Sequence, residues 1–463
     1  MNNITGKELI ALGYQPAPWF KTALFYLNTL NTATESDIKD YCDSLVRSLH
    51  VEVIEPHTQP VDLSMYLDHN TKDEEANFNQ VLTTMGEVLK TPVALWGEVM
   101  PDACPAGPIG TIPVGGVVAV DNAIIPGMHS ADICCSLMAT NLGHGVDLKE
   151  LMDTAFKTTQ FGSGKRKEHG GWEDLVYDNK FLYDNIMGNY FTKDFIGKAA
   201  GHMGTQGDGN HFLFIGTSKT TGEVYLITHH GSRGFGASVF KKGMYEAEKI
   251  RQKLSPKTHK QNAWIPYSDD IGKEYWDALQ TVKDWTFLNH QAIHNRIANK
   301  MKVGIKEQFW NEHNFVFKSN SEQYKDVIFH AKGATPVDID IVAGTPGDNR
   351  RIIPLNMSEP ILIVKDSSNG DSMFAPHGAG RNFGRSEFQR RGNTVQSLQK
   401  EIAHLDVRFY SGIPDVSEYP SAYKNANEVK KQILDYNLCQ IIDEIIPYGS
   451  IMAGNQEEFW RKK

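Results

Sequence analysis

The chain has 463 residues, 40% of them hydrophobic and 22% charged, a composition that suits a globular protein with a sizeable core. Its formal net charge is −9 and its pI about 6.0, which argues against binding nucleic acid or anionic membrane over the whole surface and leaves room only for a local basic groove. It holds no apolar run of about 18 residues, so no membrane-spanning helix is expected.

The N-terminus, MNNITGKELIALGYQ, has no basic stretch followed by an apolar one, so no signal peptide is expected. Residues 1–90 alternate short helical and strand-like pieces. ESDIKDYCDSLVRSLH has helical spacing with carboxylates near its start, and VEVIEP (Val51–Pro56) reads as a strand. From PVALWGEVMPD to about residue 140, β-branched runs such as TIPVGGVVAV alternate with Gly and Pro, the texture of strands joined by tight loops. Residues 239–311 read as mostly helical with a loop near Pro266, and a strand-and-loop block follows from about 327 to 380. SEFQRRGNTVQSLQKEIAHL is then expected to be helical, and LCQIIDEIIPYGSIMAGN closes the chain with a strand-like run. Helices and strands mix without a βαβ rhythm. The expected class is therefore α/β in the mixed α+β sense, one large domain whose site is built from separated loops.

Five cysteines is an odd number and low for the length, and two of them, Cys134 and Cys135, are neighbours. That fits a reducing cytoplasm, with thiols free or on metal. Asp132 and Cys135 have i, i+3 spacing, so on a helix or tight turn both side chains can face one point. A carboxylate, a thiolate and imidazoles suit zinc or a transition metal. By spacing alone, two small buried residues is the slightly better reading, because this is no C-x-x-C pair. Of seventeen histidines, a few have unusual settings. His211 follows a Gly-rich loop in GTQGDGNHFLF. His229 and His230 stand between an apolar strand and a second Gly-rich loop in LITHHGSRGFG. His313 lies in NEHNFVF, and His377 directly precedes Gly-Ala-Gly-Arg. Strand–glycine junctions let backbone N–H groups approach a phosphate.

In chain order, MPDACPAGPIGTIPVGGVVAV, IIPGMHSADICCSL, GDGNHFL, HHGSRGFG, EHNF, HAKGATP, IPLNMSEPILIV, HGAGR and PSAYKNANEV resemble the RtcB-type RNA-splicing ligases, from about Met100 to Asn455. The resemblance implies that family's fold around a central site, with residues 91–463 as the catalytic domain and 1–90 as a peripheral segment of the same domain. It implies two manganese ions, GTP as co-substrate, and joining of an RNA 3′-phosphate or 2′,3′-cyclic phosphate to a 5′-hydroxyl through a histidine–nucleotide intermediate, in RNA repair or tRNA splicing. A cytoplasmic location, no membrane partner and room for an activating protein partner go with it.

By position the resemblance makes Asp132, Cys135, His211, His229 and His313 metal ligands, with Cys135 bridging both ions. Cys134 falls where the family more often has Asn and becomes a packing residue. His230 stands at a small polar position, although its adjacency to His229 leaves that ligand ambiguous by one residue. His377 matches the nucleophile. Asn210, Asn314 and Lys424 match nucleotide contacts, with Lys424 as a donor to a base carbonyl. Phe214, Pro354, Asn356, Met357, Gly378, Ala379 and Gly380 complete the nucleotide site. A thiolate–imidazole set also suits zinc, which is expected to occupy the site after purification. The sequence departs from the family's pattern at Cys104 (usually His), Phe214 (usually Glu, expected to read the guanine edge), Leu355 (usually Gly) and Ala331 (usually Arg). That pattern resembles a divergent paralogue. The alternatives are a metal-dependent phosphodiesterase or cyclic-phosphate hydrolase, and a non-catalytic metal- or RNA-binding protein.

Overall fold

Two twisted sheets position the site in the computed structural model of the protein, which describes residues 4–30, 34–49, 52–167, 170–342, 349–367 and 370–455. The fold is mixed α and β, and the contacts divide it into two units. The larger, residues 56–251 and 257–463, holds both sheets.

Its main sheet runs in the order Glu307–Glu312, Ser136–Gly143, Val224–His230, Phe212–Ser218, Gln440–Met452, Ile361–Lys365 and Arg351–Ile353, with Asp406–Phe409 paired parallel to the end of Gln440–Met452. Side chains alternate between faces along each strand, so register decides what meets what. One row across this sheet is Leu137, His229, Phe212 and Met452; the next on the same face is Ala139, Ile227, Phe214 and Ser450. Much of this face is packed as core, with Leu137, Ala139, Phe214, Ile227, Phe309 and Ile445 in one buried cluster.

The opposite face carries Ser136, Thr140, Thr228 and His230 against the long helix Asp270–Met301. That helix presents His290 and His294, one turn apart. Thr228 Oγ1 lies 2.7 Å from His290 Nδ1 and 2.6 Å from His294 Nε2, and Thr140 Oγ1 lies 2.6 Å from His294 Nδ1. Burial holds both imidazoles far below their usual pKa, His294 to about 3, so these rings are neutral hydrogen-bond bridges.

The second sheet runs Asp62–Met65, Ala94–Cys104, Val114–Asp121, Val327–Lys332 and Asn314–Lys318. Its strands Val114–Asp121 and Val327–Lys332 are buried on both faces, the first within the β-branched stretch expected up to about residue 140 and the second within the strand-and-loop block expected from about 327 to 380. The smaller unit, Met1–Glu55 with Gln252–Pro256, packs the helices Gly6–Ala11, Phe20–Leu27 and Glu35–Leu49 around Leu9, Ala23, Leu27, Ile38 and Cys42. Among the described residues no helix is long and apolar enough to cross a membrane. All five cysteines are free thiols.

Three sequence expectations need correction. Residues 52–56 form no strand, and Val51 lies outside the described residues. Val53 and Ile54 are exposed, so the apolar alternation there has no buried face to serve. The helical block expected over 239–311 starts earlier, at Arg233, and its end, Glu307–Glu312, is a strand paired with Ser136–Gly143. The expected helix SEFQRRGNTVQSLQKEIAHL is broken into Arg385–Arg390, Val395–Leu398 and a turn at Gln399–Glu401. Gly392, at φ +85°, interrupts it.

Candidate metal and nucleotide site

Asp132 to Cys135 is a tight turn closed by Cys135 N–H donating to the Asp132 carbonyl at 3.2 Å. Cys134 sits inside that turn at φ +56°, a conformation that Asn tolerates more readily than most residues. Its thiol is buried, and its N–H donates to the Asn314 carbonyl at 2.8 Å. The turn lets Cys135 point at the sheet face that carries His229. Gly231 makes room for the carboxylate, because a Cβ there would lie 2.0 Å from Asp132 Oδ1.

The donor atoms converge on two points that share one sulfur. Cys135 Sγ lies 3.2 Å from His229 Nε2, which lies 3.1 Å from His313 Nε2. Cys135 Sγ also lies 3.5 Å from His211 Nε2, which lies 3.1 Å from Asp132 Oδ2. Within each trio the donor atoms are no more than 4.8 Å apart. Burial, and after it the neighbouring His211 and His377, pulls His229 down to about pKa 3. Burial, with His377 and His229 beside it, holds His313 well below the usual value. Both rings are therefore neutral, and His229 Nε2, whose lone pair is freed by the Nδ1–H bond to Asn210, faces His313 Nε2 and Cys135 Sγ at distances that a shared cation would bridge. Burial and the adjacent Asp132 push the Cys135 thiol well above its usual pKa, a cost that a bound cation reverses. Thiolate, imidazole and carboxylate form a donor set that fits divalent transition metals and zinc.

Strand alternation separates the two adjacent histidines. His229 donates Nδ1–H to the Asn210 carbonyl at 3.2 Å, which aims Nε2 at the cluster. His230 points to the other face, where it stacks on His290 with ring centroids 3.5 Å apart, donates Nδ1–H to the Gly231 carbonyl and meets Asn289 through Nε2. His229→Ala is expected to lose bound metal. His230→Ala is expected to keep its metal content but melt earlier, since unpairing buried polar groups costs about 1–3 kcal/mol. Elemental analysis beside thermal melts reads both, and metal loss confined to His230→Ala would reverse the assignment.

His377 stands next to this cluster, its ring centroid 4.8 Å from that of His313. Its Nδ1 lies 2.5 Å from Oδ2 of the fully buried Asp102, and its backbone N–H donates to the same oxygen at 3.2 Å. A carboxylate can only accept, so in the neutral ring the proton sits on Nδ1 and the lone pair on Nε2. Gly380, at φ +70°, lets the loop after His377 close over this pair, because a Cβ there would lie 1.9 Å from the Asp102 carbonyl. Beyond His377 opens a cavity of about 230 Å³.

The family described as tRNA-splicing ligase RtcB matches residues 90–453. The chain belongs to the RtcB family. It is 25% identical over 412 residues to the tRNA-splicing ligase RtcB of Thermococcus kodakarensis, covering 73% of this chain and 84% of that one. It is also 25% identical over 363 residues to the RNA-splicing ligase RtcB of Escherichia coli, covering 71% and 85%. A third relative, the tRNA-splicing ligase RtcB of Pyrococcus abyssi, is 23% identical over 372 residues, covering 65% of this chain and 39% of that protein.

In this RtcB-family chain the cavity wall includes Asn210, Phe214, Pro354, Asn356, Met357 and the His377–Gly380 loop. Two expected nucleotide contacts are not on that wall. Asn314 uses its side-chain carbonyl to accept from Gly333 N–H at 2.8 Å and fixes the turn there. Lys424 is 6% exposed, and its Nζ donates to the carbonyls of Pro101 and Ala103 at 2.8 and 2.7 Å. Burial brings its pKa down to about 8. It props the backbone on either side of Asp102.

Sequence reading missed Asp102, although MPD is the one carboxylate-bearing piece of its run. It also missed Glu418, which is 1% exposed. Glu418 accepts from Arg381 at 3.0 Å and from the Tyr423 hydroxyl, and pairs with Arg385 at 2.8 Å. Arg381 also donates to the Ser417 carbonyl, so its guanidinium is tied to this network.

Proposed function

We propose that the protein is a manganese- and GTP-dependent RNA ligase that joins an RNA 3′-phosphate or 2′,3′-cyclic phosphate end to a 5′-hydroxyl end, in RNA repair or tRNA processing. One observation carries this reading. An imidazole oriented by a buried carboxylate, His377 on Asp102 at 2.5 Å, stands beside the two metal-ligand trios at the head of the cavity. Membership of the RtcB family and the names of its relatives supply the RNA substrate.

When bound, two cations would neutralise phosphate charge and favour in-line displacement. Asp132, Cys135 and His211 would hold one, and Cys135, His229 and His313 the other. The chain's own part begins with His377. Nε2 attacks the α-phosphorus, an N–P bond forms, and the bond to pyrophosphate breaks with its electrons leaving on pyrophosphate. Asp102 keeps the Nδ1 proton in place and balances the charge the ring acquires. The RNA 3′-phosphate oxygen, available from a cyclic end once water has added to the phosphorus and broken the bond to O2′, then displaces His377 from the same phosphorus. The 5′-hydroxyl finally attacks the activated RNA phosphate and releases the nucleoside monophosphate.

Incubating the metal-loaded protein with α-labelled GTP, then assaying joining of 3′-phosphate and 5′-hydroxyl RNA, tests the reading. An acid-labile label on the protein and a joined product are expected. Cleavage of cyclic phosphate without a label would identify a hydrolase, and neither reaction a binding protein. Zinc is expected to displace manganese in open competition and to inhibit, because a thiolate–imidazole set holds zinc more tightly.

Phe214 bears on which nucleotide is used. It is 2% exposed and lends the cavity a ring where a carboxylate would accept from guanine. Losing a charge-assisted hydrogen bond costs about 1.5–3 kcal/mol, or roughly ten- to a hundredfold in discrimination. Labelling with GTP and ATP side by side is therefore expected to show weak preference for GTP, with Phe214→Glu raising it. A parent already strictly GTP-dependent, unchanged by the substitution, overturns this assignment.

A further inference from the structure

On the cavity wall one buried hydroxyl lacks a hydrogen-bond partner among the described residues. Ser450, on the strand Gln440–Met452, is 2% exposed, lines the cavity, and its hydroxyl has no hydrogen-bond partner. Register fixes where it points. Ser450 is the direct cross-strand neighbour of Phe214, in the row next to the one that holds His229, Phe212 and Met452. Two residues along a strand is about 7 Å, so Ser450 stands roughly one ribose away from the row of the metal ligand His229. Its neighbours on this face of the sheet, Phe212, Phe214 and Met452, give that side of the wall an apolar surface.

An unpaired buried hydroxyl is unfavourable unless a ligand completes it. We propose that Ser450 is the residue that contacts the edge of the nucleobase, and that it makes the site accept both guanine and adenine. The proposal rests on the cavity being the nucleotide site. A serine hydroxyl can donate to the 6-oxo group of guanine or accept from the 6-amino group of adenine by rotating its proton. The apolar wall packs either ring without choosing between them. Purine tolerance then comes from Ser450 as much as from Phe214: one withholds a fixed acceptor, the other supplies an adaptable partner.

Calorimetric titration of the manganese-loaded protein with GMP, AMP and ribose 5-phosphate tests this in the parent and in Ser450→Ala. The variant is expected to bind GMP and AMP about three- to tenfold more weakly, by a similar factor for each. Ribose 5-phosphate, which has no base, is expected to bind both proteins equally. The ligand-free melting temperature is expected to hold or rise, because alanine removes an unpartnered hydroxyl. Equal affinities of parent and variant for GMP and AMP would overturn the proposal. So would an equal loss toward ribose 5-phosphate, or a lowered ligand-free melting temperature, since either makes Ser450 structural. A parent that binds GMP and AMP but is indifferent to Ser450→Ala leaves the ligase reading standing. A parent that binds none of the three overturns both.

Discussion

His377→Ala is expected to abolish labelling of the protein by α-labelled nucleotide and to abolish RNA joining, with metal content unchanged. The first expectation follows from the atoms. Once Nδ1–H is given to Asp102, Nε2 is the ring's free lone pair, and alanine offers no nucleophile in its place. The second follows from where the ring stands. It packs against His313 with centroids 4.8 Å apart but is in neither trio of convergent donor atoms. Removing it therefore leaves both trios whole. Asp102→Asn separates orientation from nucleophilicity. An amide at Oδ2 can present N–H instead of an acceptor, which favours the tautomer that blocks Nε2, and an analogous change in a serine protease triad costs about 10⁴-fold. Asp102→Asn should thus still label, slowly, while His377→Ala should not label at all. RNA joining by His377→Ala would move the nucleophile elsewhere. Loss of metal in that variant would mean that His377 belongs to the ligand set.

How much of this could be read from the residues alone depends on whether the cause is local. The turn that brings Asp132 and Cys135 together is local, and their spacing announces it. The choice between His229 and His230 is not local. It depends on the phase of the strand Val224–His230, which is set by pairing with Ser136–Gly143 and Phe212–Ser218. Asp102 lies 275 residues from its partner His377, so no spacing rule connects them. Ser450 is hidden in a strand-like run, and only its register opposite Phe214 gives it meaning. Lys424 misleads for the same reason. It precedes Asn425, whose side chain caps the helix Ala426–Asp435, and its own N–H donates to the Gly380 carbonyl. That anchoring directs Nζ to the carbonyls flanking Asp102. The expected strand at Val51–Pro56 shows the converse, a local pattern with no buried face to act on it.

Cys135→Ser is expected to cost metal binding at both points together, and that effect is larger than loss of any imidazole. Sγ is the one atom that both trios share. Removing His313 takes a donor from one trio and removing His211 from the other, so each should weaken one ion more than its neighbour. Serine keeps the size of the side chain but not the charge, because a hydroxyl does not ionise near neutral pH as a metal-bound thiol does. Cys134→Ser is the matched control, one residue away with its thiol outside both trios. Titration with manganese across a range of pH adds a second readout. In the ligand-free protein, burial and then Asp132 hold the Cys135 proton on, so metal must displace it. For one displaced proton, affinity should rise about tenfold per pH unit while the pH stays below the thiol's pKa. The buried His229 and His313 are already neutral there and add nothing to that slope. Cys135→Ser should bind weakly and lose that component of the slope, while Cys134→Ser keeps it. Parent-like stoichiometry and slope in Cys135→Ser would remove the sulfur from the metal site and leave the imidazoles and Asp132 as its only donors.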